Sequence, residues 1–151
     1  MRPTDDDLDG IGTCMIGEDV AAMDVTEPLT VSEVAERIGL TTHTLRWYER
    51  IGLLDQVGRD SAGHRRYTAS DIEWLLLLIR LRATGMPVRD MQRYAELVRG
   101  GDGTARERRE LLEVHRDRVA AHIEELRRHL AVVDHKVSVY RDMEKQQREA
   151  S

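Results

Sequence analysis

The chain has no phenylalanine, three prolines and a single cysteine, Cys14, and aromatics fill only 4% of its 151 positions. One cysteine excludes an internal disulfide framework and any multi-cysteine zinc site. With so few aromatics and 34% charged residues, one thick globular core is out of reach. Thin helical layers or a coiled coil suit the composition, because each helix then needs only one apolar stripe. The longest apolar run, Trp74 to Ile79, stops at Arg80. A membrane span needs about 20 such residues, so no membrane partner is expected. The first residues lack the basic start and apolar stretch of a signal peptide, and a cytoplasmic location is expected.

What is present is charge, unevenly placed. Residues 1–28 hold one arginine and eight carboxylates, a net of −7, whereas the other 123 residues carry +2. An acidic tail thus hides a slightly basic body, and the overall −5 does not argue against a nucleic-acid partner. The tail shows no helical or strand period and reads as disordered. Met23, close to where periodic sequence begins, is an alternative candidate start.

Thr30-Val-Ser-Glu33 has the form of a capping box, and Val31, Val34, Ala35 and Ile38 make a short apolar stripe ended by Gly39. Thr41 is placed to cap a second helix to about Arg50, with Gly52 in the stop position. Two short helices around a tight glycine turn are a helix-turn-helix candidate. Residues Asp55 to Tyr67 lack helical spacing. They predict a loop or a short two-stranded ribbon, tipped by Arg59–Gly63 and returning through His64-Arg65-Arg66-Tyr67. Thr68-Ala-Ser-Asp71 starts a third helix, apolar over more than half its circumference. A fourth covers Val88 to Val98, and Gly100–Gly103 reads as a flexible joint.

Thr104-Ala-Arg-Glu107 predicts a third capping box, with a helix to about Gln147, roughly 65 Å long. Its apolar residues are Leu112, Val119, Ile123, Leu126, Leu130, Val133, Val137 and Tyr140. From Val119 onward they step by four and three, a heptad seam, with Arg116 interrupting it before that point. Such a helix needs a partner, and a second copy of the chain is the simplest one. The expected division is therefore a tail over 1–28, a DNA-binding domain over 29–99 and a dimerisation helix over 104–147.

In the second helix Leu45 and Tyr48 share an inward face, leaving Thr42, His43 and Arg46 outward. Small hydroxyls and a guanidinium suit phosphates and guanine edges. The pair Arg65-Arg66 beside Tyr67 at a turn suits phosphate contact better than it suits stability. A solvated helix face is the plainer alternative for the second helix taken alone.

Five stretches together resemble the MerR family of transcription regulators: Leu29-Thr-Val-Ser-Glu-Val-Ala, Thr44-Leu-Arg-Trp-Tyr-Glu-Arg-Ile-Gly-Leu-Leu54, Gly63-His-Arg-Arg-Tyr67, Asp71-Ile-Glu and Gly85-Met-Pro-Val-Arg-Asp-Met91. The resemblance covers about Leu29 to Leu97 in order and spacing. It implies a mainly α fold: a winged helix-turn-helix, a second helix pair and an antiparallel coiled coil joining two subunits. It also implies double-stranded promoter DNA and RNA polymerase as partners, with an over-long promoter spacer bent and untwisted by the dimer. Arg46 would lie in the recognition helix with Tyr48 beside it at the backbone, and His64, Arg65, Arg66 and Tyr67 would lie at the wing. His64 stands where the family commonly has Tyr, and imidazole still donates a hydrogen bond. Trp47, where Tyr is common, reads as a core substitution.

Metal-sensing members carry cysteines at the start of the dimerisation helix and after it, and this chain has none there. Thiolate metal sensing, an iron–sulfur cluster and a large drug-binding domain are not expected, and Cys14 reads as an inert tail residue. His115, His122 and His129 recur every seven residues, about 10 Å apart along one helix and too far to share a metal. They read as a solvated flank of the seam, with an inter-subunit metal site as the alternative. No cofactor is expected, and no nucleophile–base pair, phosphate loop or HExxH spacing suggests an enzyme. Two rival readings remain: a small-ligand sensor with its pocket between coiled coil and DNA-binding lobe, and a coiled-coil adaptor with a vestigial helix-turn-helix.

Overall fold

A computed structural model describes residues 25–54 and 57–151. The acidic tail to Asp24, Cys14 and Met23 lie outside the described residues. The order is α1 (Val31–Ile38), α2 (Thr42–Arg50), α3 (Ala69–Ala83), α4 (Val88–Arg99), a 3₁₀ turn over Asp102–Thr104 and α5 (Ala105–Glu149).

Local chemistry accounts for the first boundaries. The Thr30 hydroxyl accepts from the Glu33 amide while the Glu33 carboxylate accepts from the Thr30 amide at 2.7 Å. Glu33 is held below its usual pKa by those bonds, the backbone N–H of Thr30 first. Gly39 takes the left-handed conformation, φ 74°, that closes α1. Thr41 caps α2 through the Thr44 amide, and Thr68 with Asp71 forms a second reciprocal box on α3.

Between α2 and α3, expected as a loop or a short ribbon, the described residues form one isolated antiparallel bridge, Arg59 with Arg65, and Tyr67 at the segment's end bridges to Leu29 ahead of α1. Leu29 and Tyr67 exchange both backbone bonds at 2.8 Å, tying the wing's return to the residues just ahead of α1.

The core gathers Val34, Leu45, Tyr48, Leu53, Tyr67, Leu75, Leu78 and Met91, all nearly solvent-free. Three successive carbonyls after α2 each receive a side-chain donor from α3 or α4. Gln92 donates to Ile51 at 3.0 Å, Arg99 to Gly52 at 2.8 Å and Trp74 to Leu53 at 2.7 Å. A helix end leaves carbonyls unpaired, and here the second helix pair supplies partners. That arrangement fixes α3 and α4 against the helix-turn-helix.

The third expected capping box does not form as read. The Thr104 hydroxyl donates to the carbonyls of Leu97 and Gly101, and the Glu107 carboxylate lies 3.4 Å from Arg93 on α4. Regular helix nevertheless begins at Ala105, where that spacing puts it. Tertiary partners have outcompeted the local cap. The Gly100–Gly103 stretch, read as a flexible joint, is a defined turn with Gly101 at φ 80°, ψ −163°.

By contacts the chain divides between Leu111 and Leu112, inside α5 and later than the glycine turn. The first unit is the lobe just described. The second, Leu112–Ser151, is one uninterrupted helix almost to its end. Its heptad residues Ile123, Leu126, Leu130, Val133, Val137 and Tyr140 are 41–58% exposed, while Leu112 and Val119 are half-buried. Among the described residues no helix is long and apolar enough to cross a membrane.

Candidate nucleic-acid interface

The turn between α1 and α2 rotates α2 so that Leu45 and Tyr48 point into the core. Three and four residues apart share a helix face, so the opposite side of α2 is left to His43, Arg46 and Arg50, all exposed, with Thr42 half-buried at its rim. Among the described residues no carboxylate pairs with Arg46.

An open cleft of about 410 Å³ lies beside this face. Thr30, Val31 and Ser32 at the start of α1, Arg46 on α2, and Arg59, Gly63, His64, Arg65 and Arg66 of the wing line it. Four guanidiniums from two elements thus converge on one concavity next to an exposed helix, which suits a polyanion. The structure brings together Arg46, His64, Arg65 and Arg66 from the residues singled out in the sequence. Thr42 and His43 lie on α2 outside the cleft.

Two predicted contacts are placed elsewhere. Tyr48 and Tyr67 are 1% and 0% exposed, and their buried hydroxyls have no hydrogen-bond partner. Burial pushes both phenols above their ordinary pKa. These rings build the core under the recognition helix and the wing, and present no surface in this conformation. Trp47 is half-buried, its ring 5.6 Å from that of Tyr48.

The wing is shaped by Asp60. Its Oδ1 accepts from the amides of Ala62 and His64, both at 3.0 Å, and its Oδ2 accepts from Nε of Arg66 at 3.0 Å. The backbone N–H of His64 is foremost in holding the Asp60 carboxyl below the usual carboxylate range. Arg59 crosses the same turn, donating from Nη1 to the Gly63 carbonyl at 2.8 Å. Arg65 donates from Nε to Oε2 of Glu49 at 2.6 Å, which joins the wing to α2. Arg59 and Glu49 were not among the predicted site residues. The signal for Arg59 was its place at the turn tip; Glu49, sixteen residues from Arg65, offered none.

The second unit carries its own candidate surface. His122 and His129 are exposed on either side of Glu125, at 3.7 and 3.8 Å, whereas His115 is buried, contrary to its reading as solvated. Beside them runs the uncovered heptad stripe.

A helix-turn-helix with a basic cleft against its second helix, followed by a long helix with an apolar seam, defines a DNA-binding regulator. Two family models match the chain, the MerR HTH family regulatory protein over residues 29–97 and the MerR, DNA binding model over 72–136. An HTH-type transcriptional regulator of Haemophilus influenzae is 43% identical over 111 residues, covering 74% of this chain and 82% of its own. Among solved structures, HiNmlR, a MerR family regulator lacking the sensor domain and bound to promoter DNA, superposes with a TM-score of 0.71 at 41% identity. It covers 77% of this chain and 92% of its own. A MerR family regulator from Listeria monocytogenes gives the same TM-score at 32% identity, over 74% and 85%. The chain belongs to the MerR family and is a MerR-type DNA-binding transcription regulator.

Proposed function

We propose that the protein is a homodimer that binds a promoter operator through the α2 face and the basic cleft, one lobe per half-site. The observation that carries this reading is the convergence of Arg46, Arg59, Arg65 and Arg66 beside an exposed recognition helix. Phosphate contacts by the wing would set orientation, and Arg46 with Thr42 and His43 would meet base edges. HiNmlR was solved on promoter DNA, and its similarity to this chain supports promoter DNA as the partner here.

The uncovered stripe from Ile123 to Tyr140 supports dimerisation. A regular apolar seam at heptad spacing is stable only against another helix, and a second copy pairing antiparallel would cover it. The dimer would bend and untwist an over-long promoter spacer for RNA polymerase, with an elastic cost on the order of 1–6 kcal/mol. It acts as a regulator and not as an enzyme, on DNA in the cytoplasm. Selection of bound duplexes from a random pool, followed by gel migration of circularly permuted fragments, tests the reading. A palindromic operator with a position-dependent mobility is expected; no enrichment, or straight DNA in the complex, would overturn it.

A further inference from the structure

Arg65 and Arg66 are neighbours in sequence, yet carboxylates from different elements grip them through the same nitrogen. Nε of Arg65 donates to Glu49 on α2 at 2.6 Å, and Nε of Arg66 donates to Asp60 in the wing turn at 3.0 Å. Among the described residues the terminal Nη groups of both arginines make no hydrogen bond. A guanidinium is planar and carries five N–H donors in a fixed fork. Holding it at Nε therefore orients the plane and leaves the Nη fork directed away from the carboxylate, ready for two oxygens of an anion such as a phosphate.

The Glu49–Arg65 pair is not an ordinary surface ion pair. Its side chains are only 17% and 28% exposed, whereas exposed pairs hold long side chains in place at little gain. Glu49 also sits three residues after Arg46, so the same helix that presents Arg46 sets the position of Arg65. Asp60 has a second task in closing the turn, which makes Glu49 the cleaner case. An interface selected for charge alone would not place a carboxylate here, because it cancels one cation on the face that meets DNA.

We infer that Glu49 is a positioning residue for DNA binding: it aims the free Nη fork of Arg65 at a backbone phosphate and fixes the spacing between α2 and the wing. This rests on the cleft being the DNA interface. The cost is one unit of positive charge; the gain is a guanidinium whose plane is set before DNA arrives, so less rotamer freedom is lost on binding.

The test uses the full chain and a labelled duplex of mixed random sequence, titrated over a range of salt. Glu49→Gln and Glu49→Met remove the same charge at nearly the same length, and only Gln keeps an acceptor for Nε. Their salt slopes should coincide, with Gln binding about fivefold tighter than Met. In an Arg65→Ala background that difference should vanish. Arg65→Lys, which keeps the charge and loses the fork, should weaken binding at an unchanged slope. Equal affinities for the Gln and Met variants, with Arg65→Ala still weakening binding, would leave Glu49 without a positioning role. Wild-type binding by both Arg46→Ala and Arg65→Ala would instead overturn the cleft as the interface. Where Met does not fold by thermal melting, Glu49→Ala supplies the same comparison.

Discussion

The indole N–H of Trp74, on α3, donates to the carbonyl of Leu53, just after α2, at 2.7 Å, while the same ring stacks on Tyr94 of α4 at 5.6 Å and 20°. One side chain thus joins the helix-turn-helix to the second helix pair. Trp74→Phe keeps much of the stack and removes the donor. An acceptor left unpaired costs about 1–3 kcal/mol, so the variant should melt several degrees below wild type by circular dichroism. An unchanged midpoint would mean that water replaces the bond at no cost.

Dimerisation is the second point of attack. Leu130 lies within the exposed stripe at 58% exposure, with Leu126 and Val133 of the same seam on either side of it. Leu130→Asp would place an unpaired carboxylate inside the proposed helix pair, at a cost of several kcal/mol. Light scattering should give the mass of a monomer, and operator binding should fall further than for any single phosphate contact. A dimer of normal mass would place the interface elsewhere.

The glycine turn before α5 yields a third prediction. Gly101 holds φ 80° and ψ −163°, a region that only glycine occupies readily, and its carbonyl accepts from the Thr104 hydroxyl at 2.8 Å. Gly101→Ala has open space for its methyl group, so any loss reports backbone strain alone. About 1–3 kcal/mol of destabilisation is expected from chemical denaturation. A neutral substitution would show that the turn relaxes.

Much of this was legible in the sequence because it was local. Thr30 with Glu33, and Thr68 with Asp71, are three residues apart, and their reciprocal bonds need nothing from the rest of the chain. The heptad seam was equally visible, since its period lies within one helix. What escaped depended on distant partners. Thr104 reads as a cap by spacing, yet the Leu97 carbonyl takes its hydroxyl. Tyr48 and Tyr67 sit in sequence among the residues expected to contact DNA, and only the packing shows that both rings are core. Arg65 and Arg66 read as free cations, and their carboxylate partners appear only when the wing folds against α2 and upon itself.

Acid should loosen the wing before it unfolds the lobe. The Asp60 carboxyl titrates lower in the folded chain than unfolded, chiefly because the His64 amide donates to it. Its contribution is therefore fully present above the unfolded pKa of about 3.9 and is lost as pH falls through the lower folded value. The protection of the Ala62 and His64 amides, taken relative to the intrinsic exchange rate at each pH, should fall as the pH drops below about 4. Asp60→Asn should show no such step. The same acid step in that variant would assign the loosening to another carboxylate.

Arg46 decides whether the cleft reads sequence or only charge. It is exposed on α2 and lines the cleft beside the wing arginines, and among the described residues it has no carboxylate partner. A guanidinium bidentate to a guanine edge discriminates by about 1–3 kcal/mol, whereas a phosphate contact weakens all sequences alike. Arg46→Ala should therefore lower affinity for the selected operator far more than for random duplex, and should relax preference at one position in each half-site. Arg66→Ala supplies the contrast: weaker binding on every sequence, and a salt slope flatter by about one unit. Repeating the duplex selection with the Arg46→Ala protein reads both effects in one experiment. Equal losses on operator and random duplex would reassign Arg46 to the phosphates and leave Thr42 and His43 as the base-reading side chains of α2.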